Sequence, residues 1–243
     1  MTRRVDLNSD VGEGYGAWKG GPDRELMGII TSANIACGFH AGDPSIMRRT
    51  CEMAVENNVS IGAHVSYPDL AGFGRRFIDM RADDLEDAMI YQMGALAACA
   101  RAAGGSVTYV KPHGALYNTI VRREDQAHAV AKAVKLFDAS LPLLGLPGTD
   151  SAIERASAEH GLGFCFEGFA DRGYTPEGTL IPRNQPGALL TDGASAAAQA
   201  IALAERGITS ICLHSDTPGA AELAPVVAEG LQQAGFELRS FTQ

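Results

Sequence analysis

The sequence predicts an α/β protein in which residues 1–243 form one domain, a single β/α barrel of about seven parallel strands. Short apolar runs alternate with helical segments along the chain, the pattern of repeated strand and helix units in a parallel sheet. A length of 243 residues suits one such barrel, which typically takes about 250. No glycine-rich dinucleotide fingerprint follows the first strand, and this favours the barrel over an open doubly wound sheet.

Seven apolar runs have the length and composition of buried strands. In chain order they cover residues 5–8, 32–37, 59–64, 106–111, 141–146, 163–167 and 209–214. The run FELRSF near the C-terminus is a candidate eighth strand.

Two helix starts are marked by a capping side chain followed by proline. Asp43 precedes Pro44, and Thr217 precedes Pro218. Apolar residues at helical spacing also predict a long amphipathic helix over 83–103. Three connections are longer than simple turns, and long loops in compact domains are commonly functional. They cover residues 9–22, 65–82 and 169–192, each following the carboxyl end of a predicted strand.

Composition narrows the class of protein. A formal charge of -9 argues against general affinity for nucleic acid or anionic lipid, because both require a basic face. No run approaches the roughly 20 apolar residues of a membrane span, and the opening MTRRVDLNSD lacks the apolar segment of a secretory signal. Five cysteines without a CxxC pair fit a reducing compartment. We therefore expect a cytoplasmic protein that binds a small molecule or a protein partner.

Four of the six histidines stand at or just past the end of a predicted strand. They are His40, His64, His113 and His214. Because the carboxyl ends of parallel strands open onto the same side of the sheet, these side chains are expected to converge in one active site. His128 and His160 fall in alanine-rich helical segments, and we expect them on solvated surfaces.

The first strand leads into a run of acidic and amide side chains at Asp6, Asn8, Asp10 and Glu13. If the strand continued, the first three would share one face, because side chains alternate along a strand. A carboxylate there can act as a general base, orient an imidazole or bind a cation. Asp10 is a catalytic candidate on this basis, and Asp6, Asn8 and Glu13 are candidates for binding the substrate. The alternative is an acidic solvated loop in which Asn8 or Asp10 caps a turn.

The segment KPHGALYN places Lys111, His113, Tyr117 and Asn118 within eight residues. Lys111 and His113 are two apart near a strand end and therefore share a face. The lysine could neutralise a carboxylate or phosphate oxygen while the histidine moves a proton. The alternative is a surface lysine beside a capping histidine.

Several arginines are candidates for binding a substrate anion. Arg75 and Arg76 are adjacent in a glycine-containing loop and could grip a carboxylate, although paired arginines are also typical of solvated surfaces. Arg172 follows Glu167 and Asp171 in EGFADRGY, Arg183 stands in LIPR, and His214 and Asp216 repeat the histidine and acid pattern in LHSD.

The chain has no short motif that names a metal or a nucleotide. HExxH is missing, as are histidines four residues apart, and the sequence therefore does not identify a metal. If a metal is bound, Asp10, His40 and His64 are the ligands that we would test. GxxxxGK followed by Ser or Thr is also missing. Any ATP chemistry would therefore have to enter through a partner.

The sequence resembles the LamB/YcsF family along essentially its whole length. The motifs that carry the resemblance are VDLNSDVGEGYG, ANIACGFHAGDP, IGAHVSYPDLAGFGRR, KPHGALYN, EGFADRGY and LHSD. The resemblance implies a distorted seven-stranded β/α barrel similar to the deacetylase-like metal hydrolases. It also implies the A subunit of a 5-oxoprolinase, which opens 5-oxoproline to L-glutamate together with subunits B and C and uses ATP as co-substrate through those partners.

Candidate catalytic roles follow for residues at the expected mouth of the barrel. Asp10 with His40 or His64 would activate water, and His113 would shuttle a proton. These assignments treat the chain as the hydrolytic part of the reaction.

Lys111 with Arg75 or Arg76 would hold the carboxylate or phosphate of the substrate. Two other functions stay open. The chain could be a non-catalytic scaffold that binds the ligand for subunits B and C, or a stand-alone metal-dependent hydrolase of amides or acylated sugars.

Overall fold

A parallel sheet closed into a barrel lies at the centre of the computed structural model, which describes residues 3–148, 150–176 and 178–243. The strands are β1 (Arg3–Val11), β2 (Ser32–Ala36), β3 (Ser60–Val65), β4 (Val107–Pro112), β5 (Leu143–Gly145), β6 (Phe164–Phe169), β7 (Ser210–Cys212) and β8 (Phe236–Leu238). β1 to β7 pair in chain order, and β1 closes the barrel by pairing with both β7 and β2. The predicted α/β barrel of about seven parallel strands is confirmed.

β1 is longer than the sequence pattern indicated. It continues past Asn8 to Val11 because its second half pairs with β2, with Asp10 opposite Asn34. The acidic segment that could have been a solvated loop is therefore partly strand. Asp6, Asn8 and Asp10 are all buried, and their alternation places them on one face of the strand.

The candidate eighth strand is present as β8 and pairs with the first residues of β1. The backbone carbonyls of Val5 and Leu7 point the same way from β1, and they accept hydrogen bonds from Arg239 and Thr31. β8 and β2 therefore pair with the same edge of β1. β2 pairs with the C-terminal half of β1, and β8 pairs with its first residues, outside the closed part of the barrel.

The helices connect successive strands. They are α1 (Asp23–Met27), α2 (Pro44–Glu56), α3 (Ala82–Ala102), α4 (Gly114–Thr119), α5 (Glu124–Asp138), α6 (Ala152–His160), α7 (Gly193–Glu205) and α8 (Ala220–Gln233). The Asp43 side chain caps α2 by accepting from two backbone N–H groups, as predicted, and α3 matches the predicted amphipathic helix. Among the described residues, none of the helices is both long and apolar enough to cross a bilayer.

α8 does not begin at the predicted Thr217 and Pro218. Its N-terminal flanking residue is Gly219, whose φ of 79° is accessible to glycine at little cost. The Thr217 hydroxyl donates to Asp171 instead, so a tertiary contact takes the side chain that local pattern assigned to the helix cap.

Three connections rise from the carboxyl ends of the strands and surround one opening of the barrel. They cover residues 12–22, 66–81 with a short 3-10 helix at Leu70–Gly72, and, in the part of the chain that the structure describes, 170–176 and 178–192. These are the long loops that the sequence indicated. His128 and His160 lie away from this opening, partly exposed on α5 and α6.

Candidate active site

A cavity of about 380 Å³ opens at the carboxyl ends of the strands. Most of the site residues predicted from the sequence line it. They are Asp10, Glu13, His64, Arg75, Lys111, His113, Tyr117, Asn118, Arg172, His214 and Asp216. The barrel therefore brings together side chains that are more than 200 positions apart in the chain.

Asp6 and Asn8 were predicted to bind substrate, but both lie deeper in the barrel than the cavity lining. Asp6 accepts hydrogen bonds from the Ser32 and Ser210 hydroxyls, and Asn8 donates to Ser210 at 2.7 Å. Successive residues on one face of a strand are about 6.6 Å apart along the strand, so Asp6 lies roughly 13 Å from Asp10 in the strand direction. Both side chains belong to a polar network inside the barrel.

Arg75 and Arg76 point in different directions. The Arg75 guanidinium lines the cavity and contacts Asp216, with Nη2 2.5 Å from Oδ2. Arg76 pairs with Asp69 of the same loop, where its Nε donates at 2.9 Å, and about two thirds of its side chain is exposed. Of this predicted pair, Arg75 alone is positioned to meet a ligand in the cavity.

The buried Lys111 ammonium crosses the barrel mouth between two carboxylates. Its Nζ lies 2.8 Å from Asp10 Oδ1 and 2.8 Å from Glu167 Oε1. Tyr117 donates to the other oxygen of Glu167 at 2.6 Å. The third neighbour of Nζ is the Cys212 sulfur at 3.4 Å, a weak acceptor. The ammonium thus lies close to two carboxylates and donates to Asp10 and, more weakly, to the Cys212 sulfur.

The electrostatics of this group favour charged side chains. Burial alone would raise the pKa of Asp10, but the charges of His64 and Lys111 lower it well below its usual value. Burial likewise opposes a charged lysine, yet Asp10, Cys212 and Glu167 raise the pKa of Lys111 well above normal. Lys111 therefore stays an ammonium at neutral pH.

Glu13 and three histidines form a second group on the adjoining wall. Glu13 Oε1 lies 3.0 Å from His40 Nε2, 3.4 Å from His113 Nδ1 and 3.8 Å from His64 Nε2. Burial lowers the pKa of His40 and of His113 well below normal, and burial raises the pKa of Glu13. The group can offer one carboxylate oxygen and three imidazole nitrogens to a cation.

This group differs from the hypothesised metal trio of Asp10, His40 and His64. Donor atoms of Glu13, His40, His64 and His113 lie within 4.8 Å of one another. Asp10 Oδ1 accepts hydrogen bonds from Lys111 and Asn34, both at 2.8 Å, and Asp10 Oδ2 lies 3.4 Å from His64 Nε2. Glu13, which the sequence suggested for substrate binding, is thus the carboxylate that faces the histidines.

Glycine allows the loops to approach this histidine group closely. Gly74 has φ of 66°, and a Cβ atom there would lie 2.7 Å from His113 Cδ2 and 2.9 Å from His40 Cβ. Any other residue would push the ring away. The neighbouring Phe73 carbonyl can therefore accept from His113 Nε2 at 2.8 Å.

His214 forms a buried pair with Asp171. Its Nδ1 lies 3.0 Å from Asp171 Oδ1, and its ring stacks on Phe169 with centroids 5.0 Å apart. Burial opposes ionisation of Asp171, but His214 and the Thr217 hydroxyl lower its pKa below normal. Because Nδ1 is bonded to Asp171, Nε2 is the nitrogen left for the cavity.

The rim of the cavity carries three arginines. Asp216 accepts from Arg75 and also from Arg183 Nη1, at 2.8 Å, and both guanidinium groups lower its pKa despite burial. Arg172 donates to the backbone carbonyls of Ala188 and Ile181, and burial lowers its pKa. One carboxylate among three cations leaves this rim suited to an anion.

Sequence pattern assigned no role to Glu167 or Asp171, and it counted Arg183 among several arginines that could bind a substrate anion. Glu167 is a charged residue inside an otherwise apolar strand, FCFEGF, and this is a recognisable signal because unpaired charges are rarely buried. The positions of Asp171 and Arg183 carry no such signal. Their importance depends on contacts with His214 and Asp216.

The family model for LamB/YcsF matches residues 5–243. The chain belongs to the LamB/YcsF family. Among its LamB/YcsF relatives, a protein of Kocuria rhizophila named as the A subunit of 5-oxoprolinase is 56% identical, and the match covers 98% of each chain. This assignment confirms the resemblance drawn from the motifs.

Two solved structures support the barrel assignment of this LamB/YcsF protein. A lactam utilization protein from Thermus thermophilus superposes with a TM-score of 0.92 at 41% identity, covering 98% of this chain and 100% of its own. A polysaccharide deacetylase from Bacillus cereus has a TM-score of 0.54 at 13% identity, covering 98% and 92%. The second likeness shows a common fold and confirms the deacetylase-like architecture.

Proposed function

We propose that this chain is the A subunit of an ATP-dependent 5-oxoprolinase, in which it carries out the hydrolytic opening of the lactam ring to L-glutamate. The near full-length match, at 56% identity, to a relative of that name supports the proposal, as does the likeness to a lactam utilization protein. A cavity of about 380 Å³ lies within the range of small-molecule sites.

The observation that carries the proposal is the placement of Lys111 and His214 in one cavity below an arginine rim. Opening a lactam requires a cation for charge that develops on the carbonyl oxygen and a group that transfers protons. A buried ammonium and an imidazole oriented by a carboxylate meet these two requirements.

The rim arginines bind the substrate carboxylate in this proposal. Arg75 and Arg183 converge on Asp216, which holds both guanidinium groups at the cavity. Guanidinium groups match carboxylates in charge and geometry. The N–H of Lys111 that donates to the Cys212 sulfur then turns to the oxygen of the lactam.

His214 moves the protons. Water attacks the lactam carbon, and His214 Nε2 accepts a proton from it while Asp171 stabilises the imidazolium. The carbon–nitrogen bond breaks, and His214 returns the proton to the ring nitrogen, which becomes the amine of glutamate. His113 is a weaker candidate for this role because Phe73 and His64 occupy its two nitrogens.

ATP activates the substrate on partner subunits B and C in this scheme. Transfer of the terminal phosphoryl group to the lactam oxygen would make the ring carbon more electrophilic and would overcome the resonance of the amide. Water then attacks that carbon in this chain, and a second water releases phosphate. The name of the relative refers to one subunit of an enzyme, which supports a complex of several chains.

The test combines the purified chain with subunits B and C, 5-oxoproline and ATP, and measures L-glutamate with each component omitted in turn. Release that requires both this chain and ATP supports the proposal. Undiminished release without this chain would overturn it.

A matched pair of variants separates catalysis from a scaffold role. His214→Gln removes the proton carrier, whereas His128→Gln alters a half-exposed histidine on α5. We expect His214→Gln to lower turnover by about 10²-fold or more and His128→Gln to leave it unchanged. If His214→Gln only weakened 5-oxoproline binding, the chain would bind the ligand without a chemical role.

A further inference from the structure

We infer that Glu13, His40, His64 and His113 form a binding site for one divalent transition-metal ion, of which Zn²⁺ is the best match. The inference concerns the cavity wall beside Lys111 and does not depend on the proposed reaction.

The spacing of the donor atoms fits a single ion. A metal about 2.0–2.2 Å from nitrogen and oxygen ligands in a tetrahedron holds neighbouring ligands about 3.3–3.6 Å apart. His64 Nε2 and His113 Nδ1 are 2.9 Å apart, and Glu13 Oε1 lies 3.0, 3.4 and 3.8 Å from the three nitrogens. Small shifts of these side chains would complete the shell.

Backbone carbonyls fix two of the imidazoles in the form that binds metal. His64 Nδ1 lies 3.0 Å from the Lys111 carbonyl, and His113 Nε2 lies 2.8 Å from the Phe73 carbonyl. A carbonyl only accepts, so each of these nitrogens carries the proton. The other nitrogens of the neutral rings then face each other with lone pairs at 2.9 Å, an arrangement that a cation between them would stabilise.

Charge balance points the same way. Glu13 is buried, and within the described ranges its ion pairs are with histidines, not with lysine or arginine. Lys111 is already bound by Asp10 and Glu167. A buried carboxylate without a cation is costly, and a metal ion at this position would neutralise it.

The histidine group is covered by an aromatic ring on one side and faces the cavity on the other. The Phe73 ring packs edge-on against His40 and His113, with centroids 5.6 and 5.3 Å away. Glu13, His64 and His113 also line the cavity. A zinc ion there would supply a Lewis acid that faces the bound ligand.

A second cluster, Asp10, Cys212 and His214, is a poorer metal site. Its donor atoms also lie within 4.8 Å of one another. However, the Lys111 ammonium is 2.8 Å from Asp10 and 3.4 Å from the Cys212 sulfur, so it would repel a cation. The test must therefore distinguish these two clusters.

The experiment uses the full chain without partners, stripped of metal by a chelator. Zn²⁺ titration followed by calorimetry and metal analysis should give one ion per chain. His113→Gln and His64→Gln each remove a direct ligand and should weaken Zn²⁺ binding by at least about 100-fold, the upper range for loss of an outer-shell partner, while the half-exposed His128→Gln leaves it unchanged. Circular dichroism verifies that the variants are folded, and any variant that is not folded is replaced by Glu13→Gln.

Co²⁺ in place of Zn²⁺ reports which cluster is occupied. We expect visible bands of low-coordinate Co²⁺ without the near-ultraviolet charge-transfer band of a thiolate ligand. A thiolate band, abolished by Cys212→Ser, would move the metal to the other cluster and overturn the inference. Clearly substoichiometric binding at metal concentrations in the range of about 100 μM, or unaltered affinity in both folded histidine variants, would also overturn it.

Discussion

Lys111 Nζ and Asp10 Oδ1 lie 2.8 Å apart although the two residues belong to strands that do not pair, β4 and β1. Their side chains span the inside of the barrel, and Glu167 of β6 completes the contact. One buried ammonium therefore connects three strands at the wall of the cavity.

Replacing Lys111 by methionine should destabilise the protein strongly. The change leaves Asp10 and Glu167 buried without their cation, and breaking a buried ion pair typically costs about 3–5 kcal/mol. Urea unfolding measures the free energy of unfolding. Lys132→Met is the control because Lys132 forms a solvent-accessible pair with Glu86, and we expect it to change the free energy of unfolding little. Equal effects of the two variants would show that the Lys111 contacts are not stabilising.

Asp171→Asn should reduce turnover in the complex with subunits B and C by about 10²-fold or more. An amide cannot stabilise the His214 imidazolium, and it can favour the wrong tautomer by donating to Nδ1. We expect a much smaller change in KM for 5-oxoproline. Asp192→Asn, at the exposed start of α7, should retain normal turnover. A selective rise in KM would assign Asp171 to binding instead.

Arg75→Gln should raise KM for 5-oxoproline by about 10-fold to 100-fold, since hydrogen bonds to charged groups contribute about 1.5–3 kcal/mol. Its neighbour Arg76 provides an unusually close control because Arg76 pairs with Asp69 away from the cavity. Steady-state kinetics of both variants should therefore differ sharply. If Arg76→Gln had the larger effect, the assignment of the anion site would be wrong.

Asp6 should make stability dependent on pH. Burial outweighs the hydroxyl hydrogen bonds and raises the pKa of Asp6 to about 6 in the folded state, above the unfolded value of about 3.9. Folding therefore takes up a proton in this window, and the resulting stabilisation is present at low pH and lost as pH rises through 6.

Unfolding in urea at pH 5 and pH 8 tests this linkage against Asp6→Asn, which has no charge to bury. Relative to the variant, the wild type should lose about 1.4 kcal/mol between the two pH values. A constant difference between wild type and variant would mean that Asp6 stays ionised throughout.

The periodicity of the chain predicted the strands and most helices well, and the reason is local. Asp43 caps α2 as its position before proline indicates, and Asp6, Asn8 and Asp10 share a face because strand side chains alternate. Depth within the barrel is not local. Alternation could not show that Asp6 lies well below the cavity while Asp10 reaches it.

Local sequence pattern also could not predict which charged side chains pair with one another. Arg75 and Arg76 are identical in type and adjacent in sequence, yet Asp216 holds one at the cavity and Asp69 holds the other outside. Asp10 and Glu13 were both plausible partners for histidine. The register of β1 against β2 and the position of Lys111 place Asp10 between Lys111 and His64, whereas Glu13 faces all three histidines.

The barrel class, the family and the set of polar side chains at the strand ends can be predicted from the amino-acid sequence, because they follow from periodicity and from contiguous motifs. Which of those side chains meet depends on the folded chain, as in the Lys111 bridge, the pair of His214 with Asp171 and the group around Glu13. Each of these contacts joins strands or loops that are far apart in the chain, and the distances between the side chains are set by how the sheet closes.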